Sequence, residues 1–226
     1  FSKLNKSNLK FLNFEEESKS ENESDKKFSN YLQSILHNIF VSIKFRKKEE
    51  SFRSIAIFSM KKNEGKSLIT LLIAKTIFDL GERVLIIDCD LRNPKITKKL
   101  KMENNIGFRN LSQDENQIKK YISPHNESGI DILPAGNIKV DPMKTFNENK
   151  LRKILNIIDK EKYYDYVFVD CGSLELPESN LVISDVDKNI FLISLFNINK
   201  DKCKNFLKKK NFNNKILGVI SNIMLN

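Results

Sequence analysis

The sequence predicts an α/β fold with a mostly parallel, doubly wound sheet flanked by helices. Three observations predict it. Apolar runs of strand length alternate with segments of helical period along most of the chain. The runs are nearly continuous in Val, Ile and Leu, as strands covered on both faces are, rather than alternating with polar residues. Two of them end in groups suited to phosphate chemistry. Ile55-Ala56-Ile57-Phe58-Ser59 runs into Met60-Lys61-Lys62-Asn63-Glu64-Gly65-Lys66-Ser67, and Val84-Leu85-Ile86-Ile87 runs into Asp88-Cys89-Asp90-Leu91-Arg92.

The elements follow in order. Residues 1–27 are rich in Ser, Asn, Glu and Lys without apolar period, which reads as a linker or disordered lead-in next to a membrane. Residues 28–226 read as the folded domain. Tyr31, Leu32, Ile35, Leu36, Ile39 and Phe40 fall at helical spacing and predict an amphipathic helix that packs on the domain. Ser54 to Ser59 is a strand, and Lys66 to Leu80 a helix closed by Gly81. Arg83 to Asp88 is the next strand, Pro94 to Leu100 a short helix, and residues 107–122 are helical in part. Ile130 to Leu133 is a short strand ending in Pro134-Ala135-Gly136, and Lys150 to Lys160 is a helix. Tyr166 to Asp170 is a buried strand, followed by a short helix after Pro177. Asn189 to Leu195 and Lys215 to Ser221 close the sheet, with a helix over Lys200 to Lys210 between them.

Bulk properties exclude several classes. A chain of 226 residues with 40% hydrophobic and 30% charged residues builds its core without covalent staples. No apolar run approaches the length of a membrane span. The chain begins with Phe1 rather than Met, so it reads as a piece of a longer polypeptide. Cys89, Cys171 and Cys203 are odd in number and widely spaced, which argues against a disulfide framework or a zinc site and for a reducing compartment. His37 and His125 stand alone, so neither a histidine metal site nor a Ser-His-Asp triad is built here. The net charge of +10 comes from lysine spread along the chain, without the interleaved aromatics of a single-strand binder, and no nucleic-acid partner is expected. Lys44-Phe45-Arg46-Lys47-Lys48 and Lys208-Lys209-Lys210 read as solvated faces.

The chemistry lies in three segments. A phosphate-binding loop needs backbone N–H groups converging at a helix N-terminus, a lysine for the β- and γ-phosphates and a hydroxyl for magnesium. Gly65, Lys66 and Ser67 meet these needs between a strand and a helix, although Met60 stands where Gly or Ala opens the usual motif. Asn63 is a residue that tolerates positive φ. Asp88 and Asp90 sit at the carboxyl end of the second strand and Asp170 ends a third apolar strand, the sheet edge at which open α/β proteins bind ligands. Phosphoryl transfer asks for little beyond positioning, magnesium and charge stabilisation.

The order Glu64-Gly65-Lys66-Ser67, Leu85 to Pro94, Ile132-Leu133-Pro134-Ala135-Gly136, Tyr164 to Asp170 and Leu217-Gly218-Val219-Ile220-Ser221-Asn222 resembles the bacterial tyrosine kinases (BY-kinases). These are the cytoplasmic kinase domains of polysaccharide co-polymerase systems, within the MinD/ParA-like P-loop ATPases of deviant Walker A type. The resemblance runs from about Phe28 to Asn222. It implies an ATP- and Mg2+-dependent protein-tyrosine (auto)kinase regulating export or assembly of a surface polysaccharide. It further implies a location at the inner face of the cell membrane and a transmembrane activator or fused membrane domain of chain-length-determinant type. By the same resemblance, Glu64, Gly65, Lys66, Ser67 and Leu68 hold the nucleotide phosphates, Asn222 reads the adenine edge, and Ser67, Asp90 and Asp170 serve magnesium. Asp88 is the candidate acceptor of the tyrosine proton and, with Lys66, the catalytic pair.

The sequence departs from the family in definite places. Asn63 replaces a glycine, Cys171-Gly172-Ser173 replaces Thr-Pro-Pro, and Ser179 stands where an aspartate is common. Asn30, Gln33 and Leu36 occupy the positions of a ring-forming Glu and two Arg, so self-association by that motif is poorly supported. The C-terminal tyrosine cluster is absent from a chain that ends at Asn226. Two alternatives follow: a MinD/ParA-like ATPase switch, for which Lys61 stands at the signature-lysine position, and a nucleotide-binding adaptor of the export complex with little turnover.

Overall fold

The computed structural model describes residues 23–111, 115–125, 128–137, 141–146, 149–194, 200–207 and 214–222. Its core is a seven-stranded sheet. The strands are β1 (Ser54–Ser59), β2 (Val84–Asp88), β3 (Ser123–Pro124), β4 (Asp131–Leu133), β5 (Tyr166–Ser173), β6 (Lys188–Ser194) and β7 (Ile216–Asn222). They lie in the order β3-β4-β2-β5-β1-β6-β7, all parallel except the β3–β4 pair. The helices are α1 (Glu23–Glu49), α2 (Lys66–Asp79), α3 (Lys95–Lys99), α4 (Pro142–Thr145), α5 (Lys150–Glu161), α6 (Pro177–Asp185) and α7 (Lys200–Leu207). The fold is that of a P-loop NTPase.

Side chains on a strand alternate between faces, and the two faces bury separate cores. Ile55, Ile57, Ile86 and Phe168 pack with Leu36, Phe40 and Ile43 of α1 and with Leu71, Ile73 and Ile77 of α2. Ala56, Phe58, Leu85, Ile87 and Val169 pack on the other side with Leu151, Ile154 and Ile158 of α5, Val182 of α6 and Phe206 of α7. Strands buried on both sides explain the continuous apolar runs of the sequence.

Three details differ from the pattern read in the sequence. Helix α1 begins at Glu23, inside the segment read as lead-in, while residues 1–22 lie outside the described residues. Strand β5 does not stop at Asp170 but continues through Cys171-Gly172 to Ser173, because Ser173 still pairs with Ser59 of β1 across a register shift. The two-residue β3 and the four-residue α4 were too short to give a period. Helix α7 is described only to Leu207, and Lys208 to Lys210 lie outside the described residues. Among the described residues no helix is long and apolar enough to cross a membrane.

Candidate nucleotide site

The loop from Ser59 to Lys66 turns sharply because two of its residues take the left-handed conformation. Asn63 has φ 61° and Gly65, the N-cap of α2, has φ 95°. Asparagine accepts this conformation more readily than most residues, so the loop closes although a glycine is missing. Gly65 offers α2 no side-chain cap. The first N–H groups of this 14-residue helix are left for an anion, the standard condition for phosphate binding at a helix start. The Glu64 carboxylate braces the loop from inside. It is buried, accepts from the Lys61 N–H at 2.9 Å and reaches the Ser194 N–H at the end of β6 at 3.4 Å. The Lys66 ammonium is also buried and donates to the Ser59 hydroxyl at 3.0 Å, which donates to the Lys61 carbonyl at 2.7 Å.

Beside this loop the sheet delivers its carboxylates. Strands β2 and β5 are neighbours in the parallel ladder, and their register sets Asp88 against Asp170. Counting alternation from Ile86 and Phe168 puts both on the face that carries α2 and α3. Both are wholly buried, and Asp88 Oδ1 and both carboxylate oxygens of Asp170 have no hydrogen-bond partner. The Ser67 hydroxyl is near enough to favour the ionised form of Asp170, without a hydrogen bond of normal geometry. Burial pushes the Asp88 carboxyl up to about 6, opposed by its hydrogen bonds from Thr97. Burial, then the Asp88 charge, pushes Asp170 well above the carboxylate range against the pull of Ser67 and Lys66. Asp90 is partly open, raised by burial and lowered by the Asn93 N–H, Lys66 and Lys95. Two facing buried acids, only partly offset by Lys66 and Thr97, mark a place where a cation is expected.

The cleft above these groups measures about 510 Å³ and is lined by Lys62, Asn63, Gly65, Lys66, Ser67 and Leu68 from the loop side and by Asp90, Arg92, Asn93, Lys95 and Leu176 opposite. So Gly65, Lys66, Ser67, Leu68 and Asp90 meet in one cleft, while Asp88 and Asp170 are buried at the neighbouring strand ends without lining it and Glu64 is buried within the loop. Asn222, at the end of β7, pairs in register with Ser194 of β6. Its side chain lies outside what is described, and nothing places it against the cleft.

Several residues of this region escaped the sequence. Thr97 is buried and donates to Asp88 Oδ2 from its N–H at 2.9 Å and its hydroxyl at 2.7 Å. Lys95 donates to Asn63 Oδ1 at 2.7 Å, tying the loop to α3. The Arg92 guanidinium pairs with the buried Glu178 carboxylate, holding the segment after β2 to α6. Gly172 lies close under two side chains that fold back over β5. A Cβ there would lie 2.8 Å from Leu176 Cδ1 and from Ser179 Oγ, which itself is buried without a partner. The only sequence signal for Thr97 is a helix that opens at Pro94, a residue whose side chain accepts no hydrogen bond, so its first N–H groups need an acceptor from elsewhere.

Comparison with known proteins agrees with this fold. The putative tyrosine-protein kinase CapB of Staphylococcus aureus is 28% identical over 187 residues, covering 81% of this chain and 80% of that protein. The kinase domain of the Escherichia coli tyrosine kinase ETK superposes with a TM-score of 0.74 at 20% identity, covering 84% of this chain and 75% of that domain. The MinD cell division protein of Aquifex aeolicus shares the fold with a TM-score of 0.61 at 22% identity, over 76% of this chain and 70% of that one. The AAA domain model AAA_31 matches residues 52–186, more than half of the sequence, and the chain belongs to that family.

Proposed function

We propose that this chain is the ATP- and magnesium-dependent catalytic domain of a bacterial protein-tyrosine kinase acting in surface polysaccharide assembly. The observation that carries this reading is the pair Asp88 and Asp170, buried in register with unpartnered oxygens next to a lysine-bearing loop at an uncapped helix start. The tyrosine-kinase names of relatives such as CapB, matched over four-fifths of this chain, support it.

The residues fit a magnesium nucleotide. Among the described residues no group of three or more His, Cys, Asp or Glu forms a metal cage. Magnesium at nucleotides does not need one, since it takes one or two carboxylates with phosphate oxygens and waters. Ser67, Asp90 and Asp170 supply hard oxygen donors of that kind. When bound, the ion neutralises charge on the phosphates and draws the buried acids into their ionised forms. The N–H groups at Lys66, Ser67 and Leu68 receive phosphate oxygens, while Glu64 keeps the loop shaped for them. The Lys66 ammonium, now on Ser59, is placed to swing to the β- and γ-phosphates. Asp88 Oδ1, buried and holding no donor, is the candidate acceptor for the proton of an attacking tyrosine hydroxyl. A wet, open cleft would favour water over tyrosine, so an acceptor segment must cover it during transfer.

The acceptor is an exposed tyrosine, on this chain or another; Tyr31 and Tyr163 are exposed here. Tyr166 is buried in β5 and Tyr164 is buried with its hydroxyl on Asp131 at 2.7 Å, so neither serves. A transmembrane activator and a place at the inner membrane face belong to this reading. Self-association by the family's ring motif is poorly supported, since Leu36 at one of its positions is packed in the core. Incubation with ATP and magnesium, followed by phosphotyrosine mass spectrometry on the chain and on a supplied tyrosine-rich peptide, tests the proposal. Phosphotyrosine that disappears in Lys66→Met is the expected result, and its absence from every acceptor would sink the kinase reading.

A MinD-like switch is the second reading, favoured by the exposed Lys61 side chain at the mouth of the loop. It requires ATP-dependent dimers that Lys61→Ala abolishes. Unchanged dimers in that variant would remove the reading.

A further inference from the structure

We infer that Thr97 is a positioning residue for phosphoryl transfer, clamping one oxygen of Asp88 so that only the other faces the reacting tyrosine. The inference rests on the kinase reading above, in which Asp88 is the proton acceptor.

Three elements converge on Thr97. It sits on α3, whose N-cap, Pro94, has no side-chain acceptor to offer the helix. An N-cap side chain normally satisfies the N–H of the second or third helical residue. Here the third is Thr97, and Asp88 Oδ2 accepts its N–H from the end of β2 at 2.9 Å. The same oxygen accepts the Thr97 hydroxyl at 2.7 Å. The hydroxyl proton has a fixed direction because Thr97 Oγ1 accepts the N–H of Ala135, in the turn after β4, at 2.9 Å. A hydroxyl has one proton and two lone pairs. With the Ala135 N–H on the oxygen, the proton goes to Asp88.

The consequence falls on Asp88. A carboxylate with two equivalent oxygens can rotate and present either. With Oδ2 holding two donors from a buried residue, rotation breaks both bonds at once. Oδ1 is left without a partner. It is the oxygen of Asp88 that holds no donor, buried beside Asp170, and the clamp on Oδ2 sets its direction before any substrate arrives. Pre-set direction matters because proton transfer falls away when the acceptor is not within hydrogen-bond reach and alignment.

Thr97→Val keeps the shape of the side chain and the N–H donor, but removes the hydroxyl. Thr97→Ser keeps the hydroxyl and loses only a methyl group. The test measures steady-state phosphotyrosine formation on a tyrosine peptide, with magnesium-ADP affinity by calorimetry and thermal melting on the same samples. Thr97→Val is expected to lower kcat about 10- to 100-fold, the range of one hydrogen bond to a charged group. It should leave nucleotide affinity within about 2-fold, because the Thr97 hydroxyl is buried between Asp88 and the Ala135 N–H and does not line the cleft. Thr97→Ser should restore most of the rate. In an Asp88→Asn background the valine substitution should have no further effect on kcat, since Thr97 acts only through Asp88. A purely structural role predicts instead equal losses of kcat and nucleotide affinity in step with melting, no rescue by serine and additive effects with Asp88→Asn. That result would overturn the proposal. So would a Thr97→Val protein as active as an active wild type. A wild type that makes no phosphotyrosine at all would overturn the kinase reading and the proposal with it.

Discussion

Replacing Asp88 by Asn should make the nucleotide-free protein more stable and less active, and the stability gain should depend on pH. Asp88 is wholly buried opposite Asp170 in the adjacent strand, and burial raises its carboxyl from the ordinary 3.8 to about 6. The folded pKa therefore lies above the unfolded one. Below about pH 4 both states hold the proton and the site costs nothing. As pH rises from there through 6, the unfolded chain has released its proton while the folded chain still holds it, so stability falls with pH. The loss is complete above the folded value. A shift of about two units at about 1.36 kcal/mol each gives a penalty of about 3 kcal/mol at pH 8. Asn keeps an amide oxygen for the two Thr97 donors and cannot ionise, so the penalty disappears. In a protein of this size about 1 kcal/mol moves Tm by about 2–4 °C. Calorimetric melts of the metal-free, nucleotide-free chain should show Asp88→Asn raised by about 6–12 °C at pH 8, with the difference closing toward pH 4. Transfer to tyrosine should drop by about 10² to 10⁴-fold in the same variant. A Tm shift that is the same at pH 8 and pH 4, or a lowered Tm at pH 8, would refute the charge argument.

Lys66→Met should weaken triphosphate binding more than diphosphate binding, because the ammonium pairs with the β- and γ-phosphates, and calorimetry with both nucleotides reads the difference. Asp170→Asn should make nucleotide affinity far less sensitive to chelation of magnesium than in the wild type, measured by titration with and without chelator. Gly107→Ala should destabilise the fold by about 1–3 kcal/mol or more, since a Cβ there would lie 2.1 Å from the Pro134 carbonyl oxygen and 2.6 Å from the Gly136 nitrogen. Urea midpoints test it, and an unchanged midpoint would show that the two segments separate freely.

Much of this was readable from residues alone because the sheet is buried on both sides. That burial imposes nearly continuous apolar runs at β1, β2, β5 and β6 and makes the strands stand out. The phosphate loop was legible despite Met60 and Asn63, since Gly65, Lys66 and Ser67 meet a strand on one side and a helix on the other. What stayed hidden depends on strand order. Only the placement of β5 beside β2 puts Asp88 against Asp170, and no local pattern states which strands are neighbours. The Thr97 hydroxyl is likewise assembled from α3, β2 and the turn after β4, so it leaves no trace at any single position. The close approach of Leu176 and Ser179 to Gly172 over β5 is also a tertiary contact that no local pattern states. Short elements such as β3 fail for a simpler reason, as two residues carry no period.

The most direct test follows the γ-phosphoryl group. A single turnover of prebound, γ-labelled ATP, started with magnesium in the presence of a tyrosine-bearing acceptor, measures how the label divides between tyrosine and inorganic phosphate. The account predicts label on tyrosine, lost in Lys66→Met and slowed in both Asp88→Asn and Thr97→Val. Label released only as inorganic phosphate, or retained on ATP, would contradict it.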